Sequence, residues 1–206
     1  MKKVSFLFLI ILVIITGCSS SPTKVEEDNT DDYEIDLQKV VSLMLTQSVS
    51  AEEMIGIYSE VWSTSIDITI DDSAMASILN IEYYDVPKYF KSDDRGYIAF
   101  QGNFEKALSK TQYYFKKPGK SGEIESNREE VTELIKKLND PPEKYKDAYD
   151  IAFEMYSLYE KYITFALSPS GSLMTYNQEA NKLSSDLVTK VKEFEVKMPV
   201  NKGNDE

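Results

Sequence analysis

The side chains that most often do chemistry in proteins are nearly absent from this chain. It contains no histidine, and Cys18 is the only cysteine among its 206 residues. The chain therefore cannot build histidine-based acid–base catalysis, a cysteine or Ser-His-Asp nucleophile system, or the usual zinc and copper sites. Carboxylate chemistry of the glycosidase kind and calcium binding through oxygen ligands are the classes that remain.

The acidic residues form no pattern that supports either remaining class. Residues 71–82 have the length of a calcium-binding loop, but Ala76 stands where the sharp turn needs glycine. The carboxylate pairs at 71–72 and 93–94 have no second carboxylate that the sequence places across a cleft. We therefore expect no catalytic residue, no metal site, no cofactor and no enzymatic activity.

Cys18 follows a segment with the layout of a signal peptide. Two lysines precede 12 mostly apolar residues, Val4–Ile15, whereas a membrane span needs about 20. The sequence Ile15-Thr16-Gly17-Cys18 resembles a bacterial lipobox, with isoleucine where leucine is more common. The resemblance implies cleavage before Cys18, acylation of its sulfur, and a mature protein anchored at the outer face of the bacterial cell membrane.

Two pairs of adjacent tyrosines, Tyr83-Tyr84 and Tyr113-Tyr114, are candidate interaction residues. Neighbouring side chains on a helix point in different directions, so each pair is predicted to expose one ring. Exposed tyrosines provide large contact areas at protein interfaces. The five tyrosines between residues 145 and 162 lie at helical spacing, and we expect most of them to line a core.

A basic loop contributes three further candidates, Lys116, Lys117 and Lys120. They form the one basic patch of a chain with 35 acidic residues, 23 basic residues and a formal net charge of −12. The loop either contacts an anionic wall polymer or an acidic partner, or is simply solvated. The overall charge disfavours nucleic acid and anionic lipid surfaces. The expected partners are the membrane, through the lipid, and an envelope or extracellular protein.

Apolar periodicity predicts several long helices. In the first, apolar residues step by four and three positions from Leu37 to Trp62, on a stripe too wide for a two-stranded coiled coil. The other predicted helices cover residues 97–117, 126–138, 141–166 and 173–198. Capping-box spacing at Ser126 and Asp140 predicts two of the starts, and Ser172 is predicted to cap the last helix.

Residues 66–99 are harder to interpret. Isoleucines at 66, 68 and 70 alternate with polar residues, as in a short edge strand, but a helix that continues to Asn80 fits as well. Pro87 and residues 92–96 predict loops.

Together these patterns predict an all-α protein: a bundle of four to five mostly antiparallel long helices behind a disordered acidic tether. The predicted parts are a signal peptide (1–17), a lipidated N-terminus with a flexible acidic linker (18–36), the bundle (37–199) and a disordered tail (200–206). No cysteine pair is available for a disulfide.

The lipobox and the helical layout are similar to those of small helical lipoproteins of Gram-positive bacteria. Some of these are used by temperate phages and mobile elements for superinfection exclusion. The resemblance implies a protein-interaction module at the cell envelope. The alternative is a helical binding module for a small ligand, a sugar or a cell-wall fragment, which would use exposed tyrosines.

Overall fold

The computed structural model describes residues 25–116 and 119–199, and this part of the chain is mostly helical. The predicted all-α class is confirmed. The helices are α1 (Val25–Asp67), α2 (Asp72–Leu79), α3 (Val86–Tyr89), α4 (Phe104–Lys116), α5 (Lys120–Lys137), α6 (Lys146–Leu167) and α7 (Leu173–Lys197). Two short strands, β1 (Ile70–Asp71) and β2 (Tyr97–Ala99), and two 3-10 turns, Tyr83–Asp85 and Glu143–Tyr145, complete the elements.

Helix α1 is the central helix and packs against α4, α5, α6 and α7. Every residue of the predicted stripe between Leu37 and Trp62 is buried. Val40, Met54 and Val61, which lie beside that stripe, are buried as well. A two-stranded coiled coil would bury only a narrow seam, so the wide buried face confirms the predicted packing inside a bundle.

Helices α6 and α7 form a hairpin joined by residues 168–172. The backbone N–H of Thr175 donates to Ser172 Oγ at 3.2 Å, and the Ser172 N–H donates to Thr175 Oγ1 at 3.0 Å. This reciprocal pair confirms Ser172 as the N-cap of α7. Gly171 precedes it with a φ of +91°, a conformation that glycine adopts without strain.

The interior between α1, α6 and α7 is rich in buried tyrosine. Tyr58, Tyr159, Tyr162 and Tyr176 are almost completely removed from solvent, and burial raises the pKa of each phenol. The Tyr159 hydroxyl donates to Gln47 Oε1. The predicted core role is confirmed for Tyr159 and Tyr162.

The flexible acidic linker predicted up to residue 36 is wrong from Val25 onward, because α1 begins there. Tyr33 stacks on Tyr145 with a centroid distance of 5.5 Å and donates from its hydroxyl to the Leu138 carbonyl at 2.7 Å. Lys137 Nζ donates to Asp36 at 2.7 Å. These contacts stabilise the acidic turns as helix, although local composition favours solvation. Residues 1–24 and 200–206, which include Cys18 and the predicted tail, lie outside the described residues.

The region after α1 combines both structures that the sequence left open. A short strand is present, since Ile70 pairs with Ala99 and Asp71 with Tyr97 in an antiparallel ladder. A separate helix follows, because Asp71 Oδ1 accepts the Ala74 N–H at 2.8 Å and so caps α2. The helix predicted from Tyr97 is wrong over its first residues, which form β2.

Both predicted capping boxes are wrong. Ser126 lies inside α5, which begins at Lys120 because Ser121 and Ile124 are buried one turn earlier. Asp140 does not cap α6, which starts at Lys146 after a 3-10 turn without a side-chain cap. The Ser/Asp-x-x-Glu spacing also occurs away from helix ends, so it marks a start only when the buried stripe begins there too.

Candidate interaction surface

Tyr83 and Tyr84 lie on a 3-10 turn at the surface, and both rings are exposed, by 59% and 69%. The prediction that one ring of this pair is buried is wrong. Val86, on the C-terminal side of the turn, is fully buried, and Ile81, before it, packs on the core. These two apolar residues attach the turn to the protein, and both tyrosine rings are left exposed to solvent.

Tyr113 and Tyr114 behave as predicted. Tyr113 is 57% exposed on α4, whereas Tyr114 is 7% exposed and packs inward. The Tyr114 ring lies 5.0 Å from Tyr89 in an edge-to-face arrangement and 5.5 Å from Phe90 in a stacked one. Aromatic pairs of this kind contribute about 0.5–1.5 kcal/mol each beyond the area they bury.

The contacts of Tyr114 connect the two tyrosine pairs structurally. Tyr89 ends α3, directly after the turn that carries Tyr83 and Tyr84, and it packs on the helix that carries Tyr113. We call Tyr83, Tyr84 and Tyr113 the tyrosine surface. Its three exposed rings belong to two segments that pack on each other.

Lys110 fixes the loop that follows Phe90. Its Nζ donates to the Lys91 carbonyl at 2.6 Å and to the Ile98 carbonyl at 2.8 Å, and partial burial lowers its pKa. Beside the tyrosines, Lys88 Nζ donates to Asp85 Oδ1 at 2.5 Å, and this bond raises the pKa of Lys88. Polar as well as aromatic contacts therefore hold the segments that carry the tyrosine surface.

Tyr97 is the fourth exposed tyrosine of the described residues. Its ring packs edge-on against Phe100 at 5.7 Å, and the Arg95 guanidinium lies 4.4 Å from the centroid of that same Phe100 ring. Because this ring already packs against a neighbour, we leave Tyr97 out of the tyrosine surface.

The described residues do not bring the three lysines of the basic loop together as a site. Lys116 ends α4 and is exposed. Lys117 and the side chain of Lys120 lie outside the described part, although the backbone of Lys120 begins α5. The loop therefore stays a predicted contact region.

A second aromatic group, Tyr149, Phe153 and Tyr156, lies on α6, and its two tyrosines pack against the core. Phe153 is 49% exposed, with Tyr149 and Tyr156 on either side at centroid distances of 6.4 and 6.2 Å. The Tyr156 hydroxyl lies 3.1 Å from Thr132 Oγ1. Phe153 stands beside the α6 stripe rather than on it, and this offset is the sequence signal of its exposure.

Next to this aromatic group, α5 and α6 are joined by a charged contact. Arg128 Nε donates to Glu160 Oε1 and Oε2 at 2.9 Å, and its Nη2 donates to Oε2 at 2.5 Å. This bond raises the pKa of Arg128. An open depression of about 500 Å³ on α5 is lined by Glu125, Arg128, Glu129, Thr132, Glu133 and Lys136. Three glutamates and two basic residues line it, and it is open to solvent.

Two statements hold for the part of the chain that the structure describes, residues 25–116 and 119–199. No group of three or more aspartate, glutamate, cysteine or histidine residues is placed to hold a metal ion in this part of the chain. None of the helices described there is long and apolar enough to cross a membrane.

The chain was also compared with known proteins. No protein-family model, no curated protein and no solved structure matches it.

Proposed function

We propose that this protein is a lipid-anchored module at the outer face of the bacterial cell membrane that binds an envelope or extracellular protein. The lipobox resemblance at Cys18 supports the location. The tyrosine surface supports the binding role. Exclusion of phages or mobile elements is one process that such a module serves, and the similarity to helical exclusion lipoproteins motivates a plaque assay on cells that express it.

The proposed binding role is inferred from the uneven exposure of the tyrosines. Of 14 tyrosines, four are exposed, and three of these lie on two segments that pack on each other through Tyr89 and Tyr114. Tyrosine is enriched in interface hot spots because it offers a large rigid area at a small entropy cost. A hot-spot tyrosine contributes about 2 kcal/mol or more, which is roughly a 30-fold change in Kd.

Affinity capture from solubilised envelopes tests this proposal. The test variant carries Tyr83→Ser, Tyr84→Ser and Tyr113→Ser. The matched control carries three substitutions of exposed apolar residues elsewhere, Ile35→Ser, Met174→Ser and Val196→Ser. We expect the wild type and the control to recover the same specific protein and the test variant to lose it. Equal recovery by the test variant, or no specific protein across conditions, would contradict the proposal.

A second candidate function rests on the aromatic group of α6. A half-exposed Phe153 beside the Arg128–Glu160 ion pair offers a stacking face and polar groups, the combination that binds sugar rings. A thermal-shift screen with oligosaccharides and wall fragments tests it. A ligand that stabilises the wild type but not Phe153→Ala supports it, and a flat screen rules it out.

A further inference from the structure

We propose that the groove between α5 and α6 binds an uncharged, linear oligosaccharide, which lies along both helices. One wall of this groove is the aromatic row of α6, Tyr149, Phe153 and Tyr156, and the other is the open depression on α5. This inference rests on the second candidate function above and adds the charge and the length of the sugar that fits.

The first step is that the aromatic row and the depression are parts of one surface. The Tyr156 hydroxyl lies 3.1 Å from Oγ1 of Thr132, which lines the depression. Two turns away on α6, the Tyr149 hydroxyl donates to the Ile135 carbonyl at 3.4 Å. These contacts tie the two helices together in antiparallel order, so the two walls hold their spacing without a ligand. A preformed site loses less entropy when it binds.

The second step concerns the apolar contact. Phe153 is 49% exposed, and Tyr149 and Tyr156, which pack on the core, support its ring from both sides. The adjoining depression is open to solvent, whereas an anchoring side chain of a protein partner fills an enclosed pocket. A sugar ring instead lies flat on a surface, with an apolar face of C–H groups against the aromatic ring and its hydroxyls toward polar neighbours.

The third step is the supply of hydrogen-bonding groups. A sugar hydroxyl both donates and accepts, so its site needs donors and acceptors side by side. Thr132 Oγ1 has one hydrogen, which it donates to the Arg128 carbonyl at 2.9 Å. The Tyr156 hydroxyl is therefore the donor in its contact with Thr132, and its oxygen is left as an acceptor. The Arg128 guanidinium uses Nε and Nη2 for Glu160, so its Nη1 group is left as a donor.

The fourth step is the charge of the groove. The residues that line the depression, together with Glu160, supply four carboxylates and two basic groups: Glu125, Glu129, Glu133, Glu160, Arg128 and Lys136. This excess of negative charge repels a glycan that carries phosphate or carboxylate groups. An uncharged glycan meets no such repulsion and still uses the same polar groups.

The fifth step is the length of the groove. The α5 wall from Glu125 to Lys136 and the α6 wall from Tyr149 to Glu160 each extend over 11 positions, which corresponds to about 16 Å of helix. A single sugar ring covers only part of this distance. A chain of several sugars contacts Phe153 and the Arg128 end of the groove at the same time, so an oligosaccharide fits better than a monosaccharide.

Isothermal titration calorimetry of the full-length protein in detergent tests the class of sugar. Chitohexaose and cellohexaose are the uncharged linear chains, and N-acetylglucosamine and glucose are their single units. A hyaluronan hexasaccharide is a linear chain of the same length that carries carboxylates. The test variant is Phe153→Ala. The matched control is Met174→Ala, at a position on α7 that is 67% exposed, and circular dichroism shows that both variants keep the fold.

We expect an uncharged chain to bind the wild type and Met174→Ala equally, and Phe153→Ala about tenfold more weakly. The single sugars should bind at least about tenfold more weakly than the chain, and the hyaluronan hexasaccharide should give no measurable heat. Equal binding of hyaluronan or of a single sugar overturns this inference. The second candidate function survives that result if Phe153→Ala weakens the binding.

Two further results overturn the inference. A chain that binds the wild type and Phe153→Ala equally lies outside the groove. The absence of heat with both uncharged chains shows that the groove does not take this class of sugar, and the wider thermal-shift screen then decides the second candidate function by itself. A lysine hexapeptide is the last probe, because the excess of carboxylates also attracts a basic peptide. If it binds in place of the sugars and depends on Phe153, the groove is a peptide site and the inference is wrong.

Discussion

Tyrosine plays opposite roles in two regions of the molecule. One is the long-helix part, which consists of α1, α6 and α7, and the other is the short-element segment, residues 68–116. Tyrosines of the long-helix part are buried or half-buried, whereas all four exposed tyrosines of the described residues lie in the short-element segment. Periodic helices place large side chains in a shared core. The short turns and strands instead leave rings at the surface while smaller apolar neighbours provide the packing.

The largest expected effect concerns the buried tyrosines of the long-helix part. Burial raises the pKa of Tyr58, Tyr159, Tyr162 and Tyr176, so the folded state keeps these protons while the unfolded state loses them above pH 10. Stability is therefore complete below pH 10 and falls as the pH rises further, by about 5–6 kcal/mol at pH 11 for four such groups. Urea unfolding at pH 8 and pH 11 measures the difference.

The matched control replaces the four exposed tyrosines, Tyr83, Tyr84, Tyr97 and Tyr113, by phenylalanine. Its stability should fall between pH 8 and pH 11 as steeply as that of the wild type. A variant with phenylalanine at the four buried positions should lose a large part of the pH dependence. The remainder belongs to Tyr33, Tyr114, Tyr145 and Tyr149, because burial raises the pKa of these phenols too. If the exposed set rather than the buried set carried the dependence, the contrast between the two regions would be wrong.

The second largest effect on stability is expected at Trp62, because its ring contacts both regions. Its ring lies 5.5 Å from Phe104 of α4 and 5.8 Å from Tyr176 of α7. Trp62→Ala should lower the free energy of unfolding by about 3–5 kcal/mol, in a single transition followed by circular dichroism. Val196→Ala, at a position that is 82% exposed, should change it by less than about 0.5 kcal/mol. Two separate transitions in the wild type would show that the regions fold independently.

Tyr114→Ala should act mainly on the short-element segment. Loss of the contacts with Tyr89, Phe90 and Phe115 should lower stability by about 2–4 kcal/mol. Hydrogen exchange should show faster exchange in residues 83–98 and unchanged protection in α6 and α7. Tyr113→Ala, one position away on the exposed side, is the control and should leave both patterns unchanged. Uniform loss of protection would contradict a local role.

Tyr33→Phe gives the smallest effect and tests whether the acidic turns belong to the long-helix part. The substitution keeps the ring on Tyr145 and removes only the bond to the Leu138 carbonyl. Stability should fall by about 1 kcal/mol. Ile35→Ala, at an exposed position of the same helix, serves as the control. No measurable difference between the two would mean that the segment behaves as a flexible linker.

The contrast also explains what the sequence could predict. The stripe from Leu37 to Trp62 was predicted correctly because helical packing repeats a local pattern, and Ser172 was predicted because its cap involves neighbours only. Tyr33 was not, because Leu138 and Tyr145, its partners, lie more than 100 positions away in sequence. The strand at Tyr97 needed a pairing with Asp71 that no local pattern specifies.

The candidate surface was predicted in part. The expectation that one ring of an adjacent tyrosine pair is exposed was right for Tyr113 and Tyr114, which lie on an α-helix. It failed for Tyr83 and Tyr84 because a 3-10 turn anchored by Val86 exposes both rings. Phe153 follows the buried Ala152 of the α6 stripe, and a shift of one position around the helix is enough to expose it.

The contacts of Tyr33 also bear on how the protein is best produced for biochemistry. A recombinant fragment cut at Leu37, where the apolar stripe starts, would delete Tyr33, Glu34 and Asp36 and leave Tyr145 and the Leu138 carbonyl newly open to solvent. Such a fragment should aggregate more readily. A fragment that starts at Glu26 keeps these contacts, so crystallisation and binding assays should begin with the longer one.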